Sequence, residues 1–188
     1  MTTMQPSSSN PAVFSLADAE KADNEWHFNC GPGAICGVLN MTPEEIRPHL
    51  SDFESKGYTN PTLMFEILRN LAVSWQLIYR GDEPDANFAY PDLGLIRIQW
   101  AGPWTKPGVP MQARYRHTHW AGMRQTTDGY EAFDINAMCV GGWLPLAEWR
   151  TDLIPWLIRE CEPKANGQWW PTHVLKILFK EAPSLCRK

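Results

Sequence analysis

The chain has 188 residues and a mass of 21.5 kDa, with 17 basic against 21 acidic side chains and a formal charge of −4. That length suits one domain with a sizeable core, and 44% apolar against 20% charged residues is too apolar for a disordered chain. The acidic balance argues against a nucleic-acid partner held by phosphate neutralisation, and no apolar run approaches the roughly 18 residues of a membrane span.

The opening Met1 to Ser9 has neither the basic nor the apolar part of a secretory signal, so the expected location is cytoplasmic. Ten tryptophans and sixteen prolines stand out. Five cysteines, at 30, 36, 139, 161 and 186, form no C-x-x-C pair and suggest neither a disulfide framework nor a zinc ribbon.

Residues 1–14, rich in Ser, Asn and Pro, read as a flexible N-terminal arm, and 15–188 as a single domain. Ser15 to Asp23 predicts a short helix with Ser15 as N-cap and Asp18 closing a capping box. Asn29 to Leu39 predicts a tight turn into a helix. Its glycines make it a poor helix former alone, so it should be buried on most faces. Thr42, Pro43 and Glu45 mark a further helix start, and Asn60-Pro61 another, with Met64, Ile67, Leu68 and Leu71 on one face.

The period then changes. Ser74–Tyr79, Leu93–Trp100, Arg116–Met123 and Tyr130–Ile135 read as strands, with Thr126 to Gly129 as a hairpin turn. Asp82–Asp92 and Ala101–Met111 read as Pro- and Gly-rich loops. Leu146–Cys161 reads as a helix kinked or split at Pro155, and Trp170–Phe179 as a last strand. Helices followed by an antiparallel meander predict an α+β domain.

The chemistry gathers at Cys30. A thiol at a helix start feels the positive end of the dipole and unpaired N–H groups, which favour the thiolate. A nucleophilic thiol also needs a base and an orienter for that base. A turn at Thr126–Gly129 pairs Gln125 with Tyr130 and brings His119 opposite Asn136. A slip of two residues brings it opposite Asp134 instead, and either is within reach of the ring. Cysteine, histidine and a carboxylate or carboxamide in this arrangement form the thiol version of a catalytic triad.

Asn29-Cys30-Gly31-Pro32-Gly33-Ala34, then His119-Trp120, then Phe133-Asp134 resemble the papain-like cysteine peptidases, above all the bacterial subgroup that processes bacteriocin leaders. The resemblance covers residues 24 to about 136. It implies a papain-like α+β fold, with the nucleophile on a central helix packed against an antiparallel sheet. Cys30 would then be the nucleophile, His119 the base and Asp134 the orienter. The family places an oxyanion-hole glutamine six residues before its cysteine. Asn24 stands there in this chain, one methylene shorter. The run Tyr58 to Thr62 resembles uncharacterised bacteriophage proteins, which would make the location virion-associated.

The first expectation is therefore a cysteine hydrolase that cleaves a peptide or related amide bond through an acyl-enzyme, without a cofactor or metal. Its substrate would be a peptide, a protein or a peptidoglycan cross-link. The second is the same fold used as a non-catalytic structural or binding component of a larger assembly. A third, zinc held by His117 and His119 with Cys30 or Asp134, lacks further paired ligands. Among the tryptophans, Trp120 is expected in the core. Trp149 and Trp156 have core spacing unless Pro155 breaks the phase, and Trp26, Trp100, Trp104 and Trp143 are candidates to line a groove over Cys30.

Overall fold

The computed structural model describes residues 11–81, 88–114 and 116–178. Within them the chain runs through α1 (Leu16–Trp26), α2 (Cys30–Leu39), α3 (Pro43–Ile46), α4 (Phe53–Lys56) and α5 (Pro61–Asn70) before reaching β1 (Ser74–Arg80). The second half contains β2 (Leu93–Trp100), α6 (Met111–Arg114), β3 (Thr118–Thr126), β4 (Gly129–Phe133) and β5 (Trp143–Pro145). It closes with α7 (Leu146–Glu148), α8 (Ile154–Cys161) and β6 (Trp169–Leu178). This is an α+β architecture: helices packed on a six-stranded antiparallel sheet in the order β1-β6-β2-β3-β4-β5.

Local chemistry explains most of the boundaries. The Ser15/Asp18 and Thr42/Glu45 capping boxes both close, each satisfying N–H groups that a helix start leaves without partners. On α5, Leu63, Met64, Ile67 and Leu68 are buried as one stripe. The β3–β4 hairpin has the expected register, from Thr126 opposite Gly129 to Gly122 opposite Phe133.

Four expectations need correction. The last strand does not extend a meander but inserts between β1 and β2. It is nearly continuously buried from Trp170 to Leu175, because a central strand covered on both faces loses its alternating pattern. Pro171 is tolerated there because it sits at the bulge where β2 changes register, with Ile98 opposite Pro171 and Arg97 opposite His173.

The second correction is that β4 ends at Phe133. Asp134 leaves the sheet to cap the 3-10 turn Ile135–Val140, so His119 has no strand partner at Asn136. Third, Pro155 does not split the late helix. It follows a π-helical segment, Trp149–Leu153, which spaces the preceding carbonyls out ahead of the ring. That wider turn also rotates the phase, so Trp149 is buried and Trp156 is 44% exposed.

The fourth correction is the end of the expected arm. Phe14 is buried among the rings of Phe28 and Phe133, and the Ala12 N–H donates to the Gly141 carbonyl. Residues 1–10, the loop over 82–87, Phe179 and Cys186 lie outside the described residues. No helix among the described residues is long and apolar enough to cross a membrane.

The core has two parts, one on each face of the sheet. Leu95, Trp120, Phe133 and Leu175 face α1, α2 and α5. Ile96, Ile98, Met123 and Val174 face Trp149, Ile154 and Ile158. Helix α2 is buried from Gly31 to Val38 and lies against β3. Its glycines permit the approach, since a Cβ on Gly37 would stand 2.3 Å from the Phe133 ring. Gly37→Ala is therefore expected to destabilise the protein by about 1–3 kcal/mol through overpacking, overriding the ~1 kcal/mol that alanine gains in a helix. A urea unfolding midpoint that rose instead would place the ring elsewhere.

Candidate active site

Cys30 is the first residue of α2, and Asn29 before it is the N-cap. The Asn29 carboxamide is held at both ends. Its Oδ1 accepts from the Gly31 N–H at 3.3 Å, and its Nδ2 donates to the Gly57 carbonyl at 3.0 Å. Gly31 lies so close to Thr59 that a Cβ would meet the hydroxyl at 2.2 Å, and the Trp120 indole N–H donates to the Thr59 carbonyl at 2.8 Å. The start of α2 is thus clamped to the beginning of β3, where His119 stands. Trp120 points into the core, as its alternation with His119 requires.

His119 is buried, and its Nε2 lies 2.7 Å from Asp134 Oδ2. The ring and the Cys30 thiol stand close enough to shift each other's ionisation, and the Trp120 backbone N–H acts on the thiol as well. Asp134 is fully buried, and four donors satisfy it. Oδ2 takes His119 and the Trp149 indole N–H at 2.9 Å. Oδ1 takes the Asn136 backbone N–H at 3.0 Å and its Nδ2 at 2.9 Å. The choice between Asp134 and Asn136 is thereby decided in geometric terms. Asp134 touches the imidazole, and Asn136 holds Asp134.

Trp149 was expected only as a core residue. A buried indole needs an acceptor for its N–H, but nothing in the sequence identifies Asp134 as that acceptor.

Charge follows from this geometry. Burial alone would lower the His119 pKa, but the adjacent Asp134 carboxylate and the Cys30 sulfur raise it well above the ordinary value. Burial alone would raise the Cys30 pKa, but the His119 charge and hydrogen bond, with the Trp120 N–H, bring it below that of a free thiol. Asp134 is likewise held low, with burial outweighed by the His119 charge and the hydrogen bonds from His119, Trp149 and Asn136. The arrangement favours a thiolate–imidazolium pair oriented by a carboxylate. By contrast, burial pushes the Cys36 thiol far up.

The signs set a stability window. A depressed Asp134 contributes stability above its unfolded pKa near 3.9, and loses it as pH falls through the lower folded value. A raised His119 contributes fully below its unfolded pKa near 6.5, and loses it as pH rises through the higher folded value. The lowered Cys30 works in the opposite sense to His119, adding stability as pH rises from its folded pKa to about 8.5. The stability gap between wild type and His119→Ala is therefore expected to open as pH rises to about 4 and to persist to about 8.5. Urea unfolding across pH 3–9 measures it, and a gap that closed between pH 4 and 6.5 would contradict the assignment.

Cys30 and His119 open onto a cleft of about 450 Å³, bordered by the α1 face, Trp100 and the C-terminal end of α8. The Trp100 ring stacks on His119, with centroids 6.0 Å apart. Trp104 lies one layer out, its N–H donating to the Trp100 carbonyl at 2.7 Å and its ring stacked on His117. Trp26 and Trp143 do not line the groove. Trp26 packs on Phe28 and Phe53, and Trp143 on Phe133 with Arg124 over its ring.

Asn24 is not brought to the site. The cleft side of α1 is the stripe Leu16, Ala19, Glu20 and Asp23. Asn24 is exposed on the side away from the buried Ala19, Ala22 and Trp26. His117 and His119 likewise diverge. His117 precedes β3 and pairs with Glu162, whereas His119 turns to Asp134. Among the described residues, no three His, Cys, Asp or Glu side chains converge as metal ligands. Cys30, Cys36, Cys139 and Cys161 are free thiols.

No known protein family, curated protein or solved structure matches this chain.

Proposed function

We propose that this chain is a cysteine hydrolase of papain-like type that cleaves a peptide or related amide bond. One observation supports the reading above all others. A half-buried thiol at a helix N-terminus shares a histidine with a buried, fully hydrogen-bonded carboxylate, and the pair faces an open cleft.

In this reading the Cys30 thiolate attacks the carbonyl carbon, and the developing oxyanion is met by the Cys30 backbone N–H, which has no acceptor within its own helix. The C–N bond then breaks as His119 gives its proton to the leaving amine. A thioester remains on Cys30. Water resolves it, with His119 taking the proton, and the carboxylic acid leaves with the thiol restored. Asp134 holds the imidazole in the tautomer and orientation that both steps use. Peptidoglycan cross-links and isopeptide bonds present the same carbonyl, and the chemistry does not separate them from a linear peptide.

The position of Asn24 favours a second reading, in which the fold serves as a non-catalytic binding component. With the residue expected to donate to the oxyanion turned away from the cleft, one donor is lost, typically about 10²–10³ in rate. The two readings separate in one experiment. The protein is incubated with a mixed peptide library, quenched in acid and analysed by mass spectrometry. An acyl adduct on Cys30 and new peptide termini, both absent in Cys30→Ala, support hydrolysis. New termini that persist in Cys30→Ala, or none with wild type, overturn it.

A further inference from the structure

The site proposed above is defined by Cys30 and His119, and the charges of the cleft around them indicate which substrates it takes. Among the described residues, the cleft wall contains Glu20, Asp23 and Glu162, and neither lysine nor arginine. Its remaining surface is largely apolar, with Leu16, Phe28, Trp100 and Leu157 among its residues. Glu162 is already engaged by His117. Arg97 is buried and donates to the hydroxyl of Thr118 at 3.1 Å.

The two α1 carboxylates differ from their neighbours on the same helix. Asp18 caps the helix through Ser15, and Glu25 pairs with Lys21 and Arg47. The side-chain carboxylates of Glu20 and Asp23, one turn apart on the stripe that faces the cleft, have no ion pair or hydrogen-bond partner among the described residues. Two uncompensated negative charges beside a nucleophile bias both the encounter and the seating of whatever approaches it.

We propose that the cleft selects substrates with a cationic side chain, lysine or arginine, next to the bond attacked, seated against Glu20 and Asp23. The inference rests on Cys30 being the reactive thiol, and it adds a substrate class that the triad alone does not specify. A cation there gains from both carboxylates, while an anion is repelled by them. An apolar stem lying along Leu16 and Phe28 with its charge at α1 fits the amphipathic form of lysine and arginine.

Three methanethiosulfonates that differ only in charge test this without a known substrate. Each transfers its alkylthio group to a thiolate, forming a mixed disulfide and releasing methanesulfinate. The trimethylammonioethyl, sulfonatoethyl and methyl reagents are applied at low salt, and modification of the Cys30 peptide is followed by mass spectrometry. The cationic reagent is expected to outpace the anionic one by roughly tenfold, with the ratio falling towards one in E20Q/D23N and at high salt. D128N, at the hairpin end of β3, is expected to keep the wild-type ratio. Because both altered residues are exposed, a circular dichroism spectrum suffices to check folding. A ratio that E20Q/D23N leaves unchanged overturns the inference. The uncharged methyl reagent reports the thiol separately, since slow modification of wild-type Cys30 by it would undermine the nucleophile instead.

Discussion

His119→Ala is expected to slow iodoacetamide alkylation of Cys30 at pH 6 severalfold or more. The wild-type thiol is held below its ordinary pKa by the His119 charge and hydrogen bond, acting against burial. Without them, burial remains and the pKa rises to at least the free-thiol value near 8.5, which leaves roughly 0.3% thiolate at pH 6. The loss should shrink as pH rises, because the variant thiol then ionises unaided. His119→Gln keeps the size and a hydrogen-bonding amide but no positive charge, so it should resemble the alanine variant at pH 6. A glutamine variant with wild-type reactivity would show that packing, not charge, activates the thiol.

Asp134 should separate orientation from folding. Asp134→Ala removes a fully buried carboxylate and strands the His119 ring, the Trp149 indole N–H and the Asn136 amide groups. Breaking one side of a buried hydrogen-bonded pair typically costs about 3–5 kcal/mol, and this variant is expected to lose that much stability by urea unfolding. Asp134→Asn keeps the shape and two of the acceptor contacts. It cannot complement the imidazolium, so hydrolysis is expected to fall by about 10³–10⁴ with a much smaller stability loss. If the asparagine variant retained full turnover, Asp134 would be a structural residue and His119 would act alone.

Much of this arrangement was legible in the sequence because it depends on short-range rules. Ser15/Asp18 and Thr42/Glu45 mark helix starts through side-chain-to-backbone bonds within one turn. The Thr126–Gly129 turn sets the β3–β4 register, and with it the approach of His119 to residue 134. Cys30 was visible because the Gly-Pro-Gly after it suggests a tight turn into a helix, and so poor a helix former needs packing on most faces to hold it.

The parts that were not legible depend on long-range packing. The insertion of β6 between β1 and β2 leaves no periodic trace in a strand buried on both faces. The Trp149–Asp134 bond joins residues whose proximity depends on a π turn that no local signal announces. Asn24 shows the limit of spacing most directly. Counting six residues back from Cys30 assumes a fixed phase, yet α1 ends at Trp26 and His27 turns the chain in the left-handed region, at φ 63°. The phase between the two helices is therefore set by that turn, and it directs Asp23 and Glu20 to the cleft.

The pH dependence of Cys30 alkylation by iodoacetamide, followed on the Cys30 peptide from pH 4 to 10, tests the central claim most directly. A thiolate–imidazolium pair gives a rate that rises at a midpoint below the free-thiol value near 8.5 and that moves up in His119→Ala. A single rise for Cys30 centred at 8.5 or above, unaffected by His119→Ala, would contradict it.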